Sequence, residues 1–168
     1  SRGKSKYCRI VFCNIIFSTS SLDSLTLSTI ISVLESKKSP SETLLVELQA
    51  LVDISLYSNP RRLSIGTDQN RLAMLLSVLH RHADFALGDQ DVFVNIVGGV
   101  KIEDTSSDVP LCLALMSSFK NAPIDKGTIA FGEVGLTGEI RPVPFGQERI
   151  LEAVKQGFVR IIVPFDNA

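Results

Sequence analysis

The chain has 168 residues, of which 45% are hydrophobic and 21% are charged, values typical of one globular domain that buries its own core. The net charge of -1 excludes a polycationic nucleic-acid-binding tail, so any contact with nucleic acid requires a local basic patch. Three cysteines and two histidines are too few for a disulfide framework or a usual zinc site, so we expect no bound metal. The chain has no run of eighteen apolar residues, so we expect no membrane span.

The N-terminal part of the chain is the least regular in pattern. A basic start precedes the apolar run 7–17, an order that also occurs in secretory signal peptides. Arg9 inside that run, and the lack of a small-residue cleavage site, favour instead a strand that leads into the Ser/Thr-rich stretch 18–32. Residues 28–35 are rich in β-branched side chains and predict a further strand.

The middle of the chain predicts a strand, a turn and an amphipathic helix. Residues 44–52 alternate in part between apolar and polar side chains, which indicates a half-buried strand. Residues 59–62 (NPRR) are typical of a turn followed by two positive charges. Asp68 is a suitable N-cap for a helix that continues to about His82, with one buried face formed by Leu72, Leu75, Leu76 and Leu79.

A second strand and a second helix follow. Residues 91–97 predict a strand with Val92, Val94 and Ile96 on one face. Asp108 is predicted to cap the next helix, where Pro110 fits the first turn because no helical donor is lost there. The apolar face of this helix is predicted to contain Leu111, Leu115 and Met116.

The last part of the chain predicts two strands, a helix and a final strand. Residues 128–134 form one predicted strand, and a tight turn at 135–138 leads into the next, at 139–143. A third helix is expected after Gly146, ended by Gly157 and followed by a strand at 159–163. Its buried residues are predicted to be Ile150, Leu151 and Val154.

These elements mix strands and helices without a clean βαβ repeat, so the predicted fold class is α+β. The chain begins at Ser1 rather than methionine, and it stops directly after a predicted strand. We therefore expect a fragment that is truncated at its C-terminal end.

Several sequence blocks occur together in one order. The segment 132–150 (GEVGLTGEIRPVPFGQERI), with Gly157 and 161–164 (IIVP), resembles the proteolytic domain of Lon. It resembles more closely the Lon-like C-terminal domain of the bacterial RadA (Sms) family of DNA-repair proteins. Four earlier blocks occur in that family in the same order, namely LLVELQALV (44–52), NPRRLSIG (59–66), NRLAMLLSVL (70–79) and DVFVNIVGGVKI (91–102).

The resemblance divides the chain in two. Residues 44–168 are expected to form a Lon-like domain with the ribosomal-protein-S5-domain-2-like fold. Residues 1–43 form a poorly matched N-terminal segment, with weak support only for the strand predicted at 28–35.

RadA proteins carry a zinc finger and a RecA-like ATPase core upstream of this domain. The resemblance therefore implies that ATP, Mg and Zn bind in domains that this chain lacks, and that the parent protein is a DNA-dependent ATPase in the cytoplasm. The chain contains no G-x-x-x-x-G-K-[ST] phosphate loop, so we expect neither a cofactor nor ATP hydrolysis in this fragment.

Lon-type peptidases use a Ser–Lys dyad in which a buried, neutral lysine accepts the proton of the serine. The resemblance places Ser106 at the nucleophile position and Gln147 at the lysine position. Because an amide cannot accept a proton at useful pH, the dyad is predicted to be vestigial and the fragment to have no catalytic residue. Ser106 is then a helix-cap or loop hydroxyl, and Gln147 a helix-start residue bonded to nearby backbone.

Other basic residues are poor substitutes for the missing lysine. Arg149 stays protonated, and Lys155 lies about 12 Å further along the helix, beyond the reach of a general base. Lys101 and Lys126, in predicted loops, stay open as alternatives.

The resemblance implies a non-proteolytic scaffold and DNA-contact domain in homologous recombination and branch migration. Its partners would be single-stranded or branched DNA, a recombinase and further copies of the protein in a hexameric ring. The candidate DNA-binding residues are Arg61, Arg62, Arg71, Lys101 and Arg141, expected to contact phosphates if they share one face. Three alternatives stay open: these are ordinary surface charges, the domain is an active Lon-type peptidase, or it belongs to a magnesium-chelatase-like competence ATPase.

Overall fold

The computed structural model of the protein describes residues 29–36 and 43–168. The predicted strand at 28–35 is confirmed as β1 (Thr29–Ser36), whereas both alternatives for residues 7–17 lie outside the described residues. The helices are α1 (Gln69–Ala83), α2 (Asp108–Lys120) and α3 (Gly146–Lys155), with 3₁₀ turns at Thr105–Ser107 and Phe165–Asn167. The other strands are β2 (Thr43–Ile54), β3 (Arg62–Ile65), β4 (Gln90–Ile96), β5 (Thr128–Ala130), β6 (Glu133–Val134), β7 (Ile140–Arg141) and β8 (Arg160–Ile162).

The main sheet has six strands in the order β3-β4-β2-β1-β5-β8. Strand β2 is antiparallel to both its neighbours, and every other neighbouring pair is parallel. Strands β3, β4, β5 and β8 therefore all start at one end of the sheet, which we call its amino end, and finish at the opposite, carboxyl end. The mixed α and β architecture is confirmed, but β3-α1-β4 is a βαβ unit that the sequence analysis missed.

The core lies between this sheet and helices α1 and α2. The predicted leucine face of α1 is buried, and so is the predicted face of β4 with Val92, Val94 and Ile96. Strand β2 buries alternate residues against the same helices, as a half-buried strand does. Among the described residues, no helix is long and apolar enough to cross a membrane.

Helix α2 differs from its prediction in its N-cap residue and in how much of its surface is buried. Ser107 is the N-cap, and Asp108 is instead the first helical residue, with its carboxylate paired to Arg71 of α1. The helix is buried from Asp108 to Ser117 because α1, the sheet and β6 all pack against it, so Leu111, Leu115 and Met116 are only part of its apolar surface.

The predicted strand at 128–134 is broken in two. Strand β5 belongs to the main sheet, whereas β6 pairs with β7 in a separate antiparallel hairpin, closed by the predicted turn at 135–138. Gly132 makes the crossing between the two sheets with a φ of 148°. A Cβ atom there would lie 2.9 Å from the Val109 side chain, so only glycine fits this crossing.

Helix α3 begins and ends where predicted, but it buries a different face. Leu151 and Val154 are each 60% exposed, and Ile150 is only partly buried, so the predicted apolar face is wrong. The buried residues are Gly146, Arg149 and Ala153. The reason is that polar groups inside the molecule bind the Arg149 guanidinium and turn its side of the helix inward.

Candidate functional site

Ser106 lies in the 3₁₀ turn that precedes α2, at the carboxyl end of the sheet, and it has no exposed surface. Its hydroxyl accepts a hydrogen bond of 3.2 Å from Nη1 of Arg149. Its backbone N–H donates to the Asp104 carboxylate (3.1 Å), and its carbonyl accepts from the Gly132 N–H (2.9 Å). A hydroxyl held in this way is part of the packed interior and does not face the solvent.

Arg149 is the residue that the sequence analysis underestimated, because it was considered only as a general base. Its side chain is 1% exposed, and Nη2 donates to the Asp104 carboxylate at 2.8 Å. Its Nε donates to the Pro144 carbonyl at 3.0 Å, and the guanidinium lies 5.7 Å from the centre of the Phe131 ring. The available signal was the small size of Gly146 and Ala153 on the same helical face, which leaves room for a long side chain.

Gln147 lies one helical position inside the start of α3, and it is exposed. Its side-chain amide donates to the backbone carbonyl of Asn167 at 3.3 Å, consistent with the backbone contact predicted for it. In the described part of the chain, no hydrogen bond joins Gln147 to Ser106. The structure therefore does not bring the two dyad positions into a proton-transfer contact.

The lysines considered as substitutes lie on the surface. Lys155 pairs with Glu152 at 3.6 Å, and its side chain is 73% exposed. Lys126 is exposed just before β5, at the amino end of the sheet, whereas Ser106 lies at the carboxyl end. Lys101 is exposed at the correct end, but Ser106 shares no hydrogen bond with it among the described residues.

A cleft of about 610 Å³ opens at the carboxyl end, between the turn from β3 into α1 and the segment that follows β4. Two cations, Arg71 and Lys101, line it together with three acidic residues, Asp68, Glu103 and Asp104. A smaller hollow of about 250 Å³ lies between α1 and the β6–β7 hairpin, where Arg71 and Arg141 are among the lining residues. Arg71 borders both, so three of the five candidate DNA-binding residues share one side of the molecule.

Arg71 is engaged in an interior ion pair. Its Nε donates to Asp108 Oδ1 at 2.9 Å, its Nη2 donates to Oδ2, and the Val134 N–H also reaches Oδ2 at 3.0 Å. Burial raises the pKa of the Asp108 carboxyl, whereas the hydrogen bonds that Arg71 donates to Asp108 raise the pKa of Arg71. Because N–H donors reach both carboxylate oxygens, the geometry supports the ionised pair, which joins α1 to α2 and leaves Arg71 little free charge.

Arg141 and Lys101 differ in how far their charges are balanced. Arg141 is half exposed, and it pairs with Glu139 and, at 3.8 Å, with Glu133. The hydroxyl of Thr137, and then Arg141, lower the pKa of Glu139. Lys101 forms no ion pair with any described residue, so no direct contact neutralises its charge, although Asp68 and Glu103 line the same cleft.

Arg61 and Arg62 lie elsewhere, at the amino end of the sheet. Arg61 donates from its backbone N–H (2.7 Å) and its guanidinium (2.9 and 2.6 Å) to Asp91, and it lies over the Phe93 ring. Arg62 donates to the carbonyls of Leu87 (2.8 Å) and the following glycine (3.3 Å). The five candidate residues therefore do not form one continuous stripe.

Comparison with known proteins identifies the family. Residues 62–167 match the family model described as subunit ChlI of Mg-chelatase, and the chain belongs to this family.

Its relatives include the proteins named DNA repair protein RadA. The chain is 64% identical over 124 residues to the one from Haemophilus influenzae, 60% identical over 128 residues to that of Pseudomonas aeruginosa, and 40% identical over 124 residues to that of Bacillus subtilis. These alignments include 74%, 76% and 74% of this chain but 27%, 28% and 27% of the relatives, so the chain spans about a quarter of their length. The match lies in the C-terminal part of RadA, which confirms the resemblance found in the sequence.

Proposed function

We propose that this chain is a non-proteolytic Lon-like domain, with the S5-domain-2-like fold, of a RadA-type ATP-dependent DNA-repair protein. In this proposal it is a scaffold for a ring of subunits and a contact surface for DNA during homologous recombination and branch migration. The high identity to relatives named DNA repair protein RadA supports the repair role. The observation that carries the non-proteolytic part is the buried contact between the Ser106 hydroxyl and the Arg149 guanidinium.

This contact argues against peptide cleavage for a chemical reason. A general base must accept the serine proton from within about 3 Å, and a guanidinium has only donors. The Arg149 N–H therefore occupies a lone pair of the Ser106 oxygen without activating it. The Gln147 amide, bonded to the Asn167 carbonyl, supplies no base either.

The alternative of an active Lon-type peptidase is tested with casein and with a fluorophosphonate probe that labels activated serines. We expect no turnover and no labelling of Ser106, and the same background signal from Ser106→Ala. Casein turnover that disappears in Ser106→Ala would contradict the proposal. Thermal unfolding of both proteins checks that the substitution leaves the fold intact.

The proposed DNA contact is supported by the exposed, unpaired charge of Lys101 beside the cleft. Arg71 and Arg141 lie on the same side, but their carboxylate partners reduce their contribution. None of the described residues that line the cleft is aromatic, so no base would stack there, and the contact would be directed to phosphates and depend little on sequence. ATP, Mg, Zn, a recombinase partner and a cytoplasmic location belong to this proposal for the whole protein.

Binding of the protein to single-stranded DNA at several salt concentrations tests the DNA contact. We expect Lys101→Ala to weaken binding and to reduce the salt slope by about 1, because one phosphate contact is lost. Lys155→Ala, which removes an exposed lysine on α3, is the matched control and should bind like the unmodified protein. An unchanged affinity and salt slope in Lys101→Ala would remove DNA contact at the cleft from the proposal.

The family description keeps one further candidate open, a Lon-like domain of a magnesium-chelatase-like competence ATPase. The identity of 64% over 124 residues to a RadA protein favours the first proposal. Domain order separates the two, because a zinc finger and a phosphate loop upstream of this domain would indicate the RadA type.

A further inference from the structure

An exposed apolar surface lies at the amino end of the sheet, on the side of the edge strand β3. Ile54 is the last residue of β2, and Leu56 and Tyr57 follow it; they are 69%, 90% and 62% exposed. Asp53 precedes them in the sequence. Asp89 lies beside them, because its backbone carbonyl accepts a hydrogen bond of 3.1 Å from the Ser55 N–H. Neither carboxylate forms an ion pair with a described residue. We call the three apolar residues and the two aspartates the acidic corner.

A second exposed apolar surface lies at the same end, beside the opposite edge strand, β8. Val159 is 84% exposed, and Val154, in the last turn of α3, is 60% exposed. Lys126 and Arg160 are exposed next to them, since the N–H groups of Val159 and Arg160 both donate to the carbonyl of Gly127 at 3.1 Å. Neither cation is ion-paired with any residue that the structure describes. Val154, Val159, Lys126 and Arg160 form the basic corner.

The ion pairs that border the two corners do not change the sign of either corner. The Arg61–Asp91 pair borders the acidic corner and is neutral overall, so Asp53 and Asp89 determine its sign. The Lys155–Glu152 pair similarly borders the basic corner.

One further acid lies beside the basic corner. The Asp125 carboxylate accepts the Gly127 N–H at 2.8 Å in its own turn, and its single negative charge is smaller than the two positive charges of Lys126 and Arg160. The corner therefore keeps a net positive charge beside its apolar surface.

The two corners cannot meet within one molecule. Strands β3 and β8 are the two edges of the six-stranded sheet, about 24 Å apart at about 4.8 Å per strand. Both corners lie at the amino end, but they face opposite sides of the molecule. Two different, complementary surfaces placed in this way produce a head-to-tail contact between copies, and such contacts close into rings when the rotation allows.

We propose that the acidic corner of one copy binds the basic corner of the next copy. The apolar residues Ile54, Leu56 and Tyr57 would cover Val154 and Val159, while Asp53 and Asp89 pair with Lys126 and Arg160 at the rim. The proposal rests on the scaffold function proposed above and identifies the surfaces that this function would use.

Side chains rather than backbone would make this contact. On edge strand β3, the Ser64 N–H donates to the Gln69 side chain (3.1 Å), which in turn donates to the Arg62 carbonyl (2.7 Å). Two backbone groups of this edge are therefore already bonded, which hinders strand addition there. The cleft with Lys101 lies at the carboxyl end and stays free in the assembly.

Charge reversal followed by charge exchange tests the interface, with sedimentation equilibrium of the protein at two salt concentrations as the measurement. We expect Asp53→Arg and Arg160→Asp each to weaken self-association at least about tenfold, because like charges then face each other. The protein that carries both substitutions should associate nearly as well as the unmodified protein. Arg81→Glu, an equal charge reversal at an exposed site of α1, is the control and should change nothing.

A second variant tests the apolar part of the contact. Val159→Asp places a carboxylate on a largely exposed position, so it should fold normally and still reduce association. Association that none of these variants changes would contradict the interface and leave the scaffold function standing. A protein that stays monomeric before any substitution would contradict the scaffold function itself.

Discussion

At the scale of single residues, Arg149 determines the character of the site. It is buried on a helix that would otherwise present Ile150, Leu151 and Val154 to the core. Its guanidinium joins Asp104, Ser106 and the Pro144 carbonyl, three groups from different segments. The same contacts that bond the Ser106 hydroxyl therefore also orient α3.

Replacing Arg149 with methionine should destabilise the protein by about 3–5 kcal/mol, since the Asp104 carboxylate would lose its buried partner. Urea unfolding at pH 7 measures this. Arg149→Lys should recover only part of the loss, because an ammonium cannot reproduce the planar set of donors. Lys155→Ala, at an exposed ion pair, should cost less than about 1 kcal/mol, and an equally small effect for Arg149→Met would refute the structural role.

The Asp91 carboxylate predicts how stability depends on pH. Hydrogen bonds from Arg61, chiefly from its backbone N–H, lower the pKa of Asp91. Because the pKa of Asp91 is lower in the folded protein than in the unfolded chain, its carboxylate stabilises the fold at a pH above its pKa in the unfolded chain. This stabilisation is lost as the pH falls through the pKa of Asp91 in the folded protein. Asp91→Asn should therefore be less stable than the unmodified protein at pH 7.

The stability difference for Asp91→Asn should begin to shrink below about pH 4, where aspartate in the unfolded chain is protonated, and should close below the lowered pKa of Asp91 in the folded protein. Urea unfolding between pH 3 and pH 7 measures the difference. A gap that stays constant over this range would show that the Asp91 charge is not the cause.

At the scale of elements, strand β3 shows how an exposed edge is protected. The Gln69 side chain, from the first turn of α1, bonds the Ser64 N–H and the Arg62 carbonyl on the outer side of the strand. The helix that follows the strand thus supplies the partner that a further strand would otherwise supply.

We expect Gln69→Ala to lower stability by about 1 kcal/mol and to increase aggregation on heating, because two backbone groups at the edge of the sheet lose their partner. Urea unfolding and light scattering measure the two effects. Gln156→Ala is the matched control, since that exposed amide bonds only the Glu152 side chain in the described part of the chain. If both variants aggregate alike, Gln69 does not protect the edge.

Elements that bury one apolar face were predictable, whereas α3, which buries an arginine, and α2, which is surrounded by protein, were not. Strand β4 and helix α1 bury one face each, so the period of their apolar residues indicates both their type and their orientation. Helix α2 is buried on every side over most of its length, which removes that period. The break between β5 and β6 depends on the close approach of Gly132 to Val109, a contact distant in sequence.

At the scale of the whole molecule, the parallel strands separate the two proposed functions, DNA contact and assembly, in space. The cleft with Lys101 lies at the carboxyl end of the sheet, and both proposed assembly corners lie at the amino end. Substitutions at one end should therefore act independently of those at the other.

We expect Lys101→Ala to weaken DNA binding without changing the sedimentation mass of the protein. Asp53→Arg should lower the mass, and it should lower DNA affinity only through the loss of multivalent contact. Measuring both quantities on both variants tests the separation. A change in mass for Lys101→Ala would place assembly and DNA contact on one surface.

The sequence by itself determined the mixed α and β class, helix α1 and strand β4 of the βαβ unit, the family resemblance, and a glutamine at position 147, where the resemblance to Lon implies a lysine. These features depend on residue types and on local periodicity, both of which can be read directly from the sequence. Only the tertiary structure decided that Arg149 binds Ser106, that Arg61 and Arg62 lie at the opposite end from Lys101, and that Leu151 and Val154 face outward. Each of these depends on which distant segments meet, and buried charge and strand order set that without leaving a local pattern.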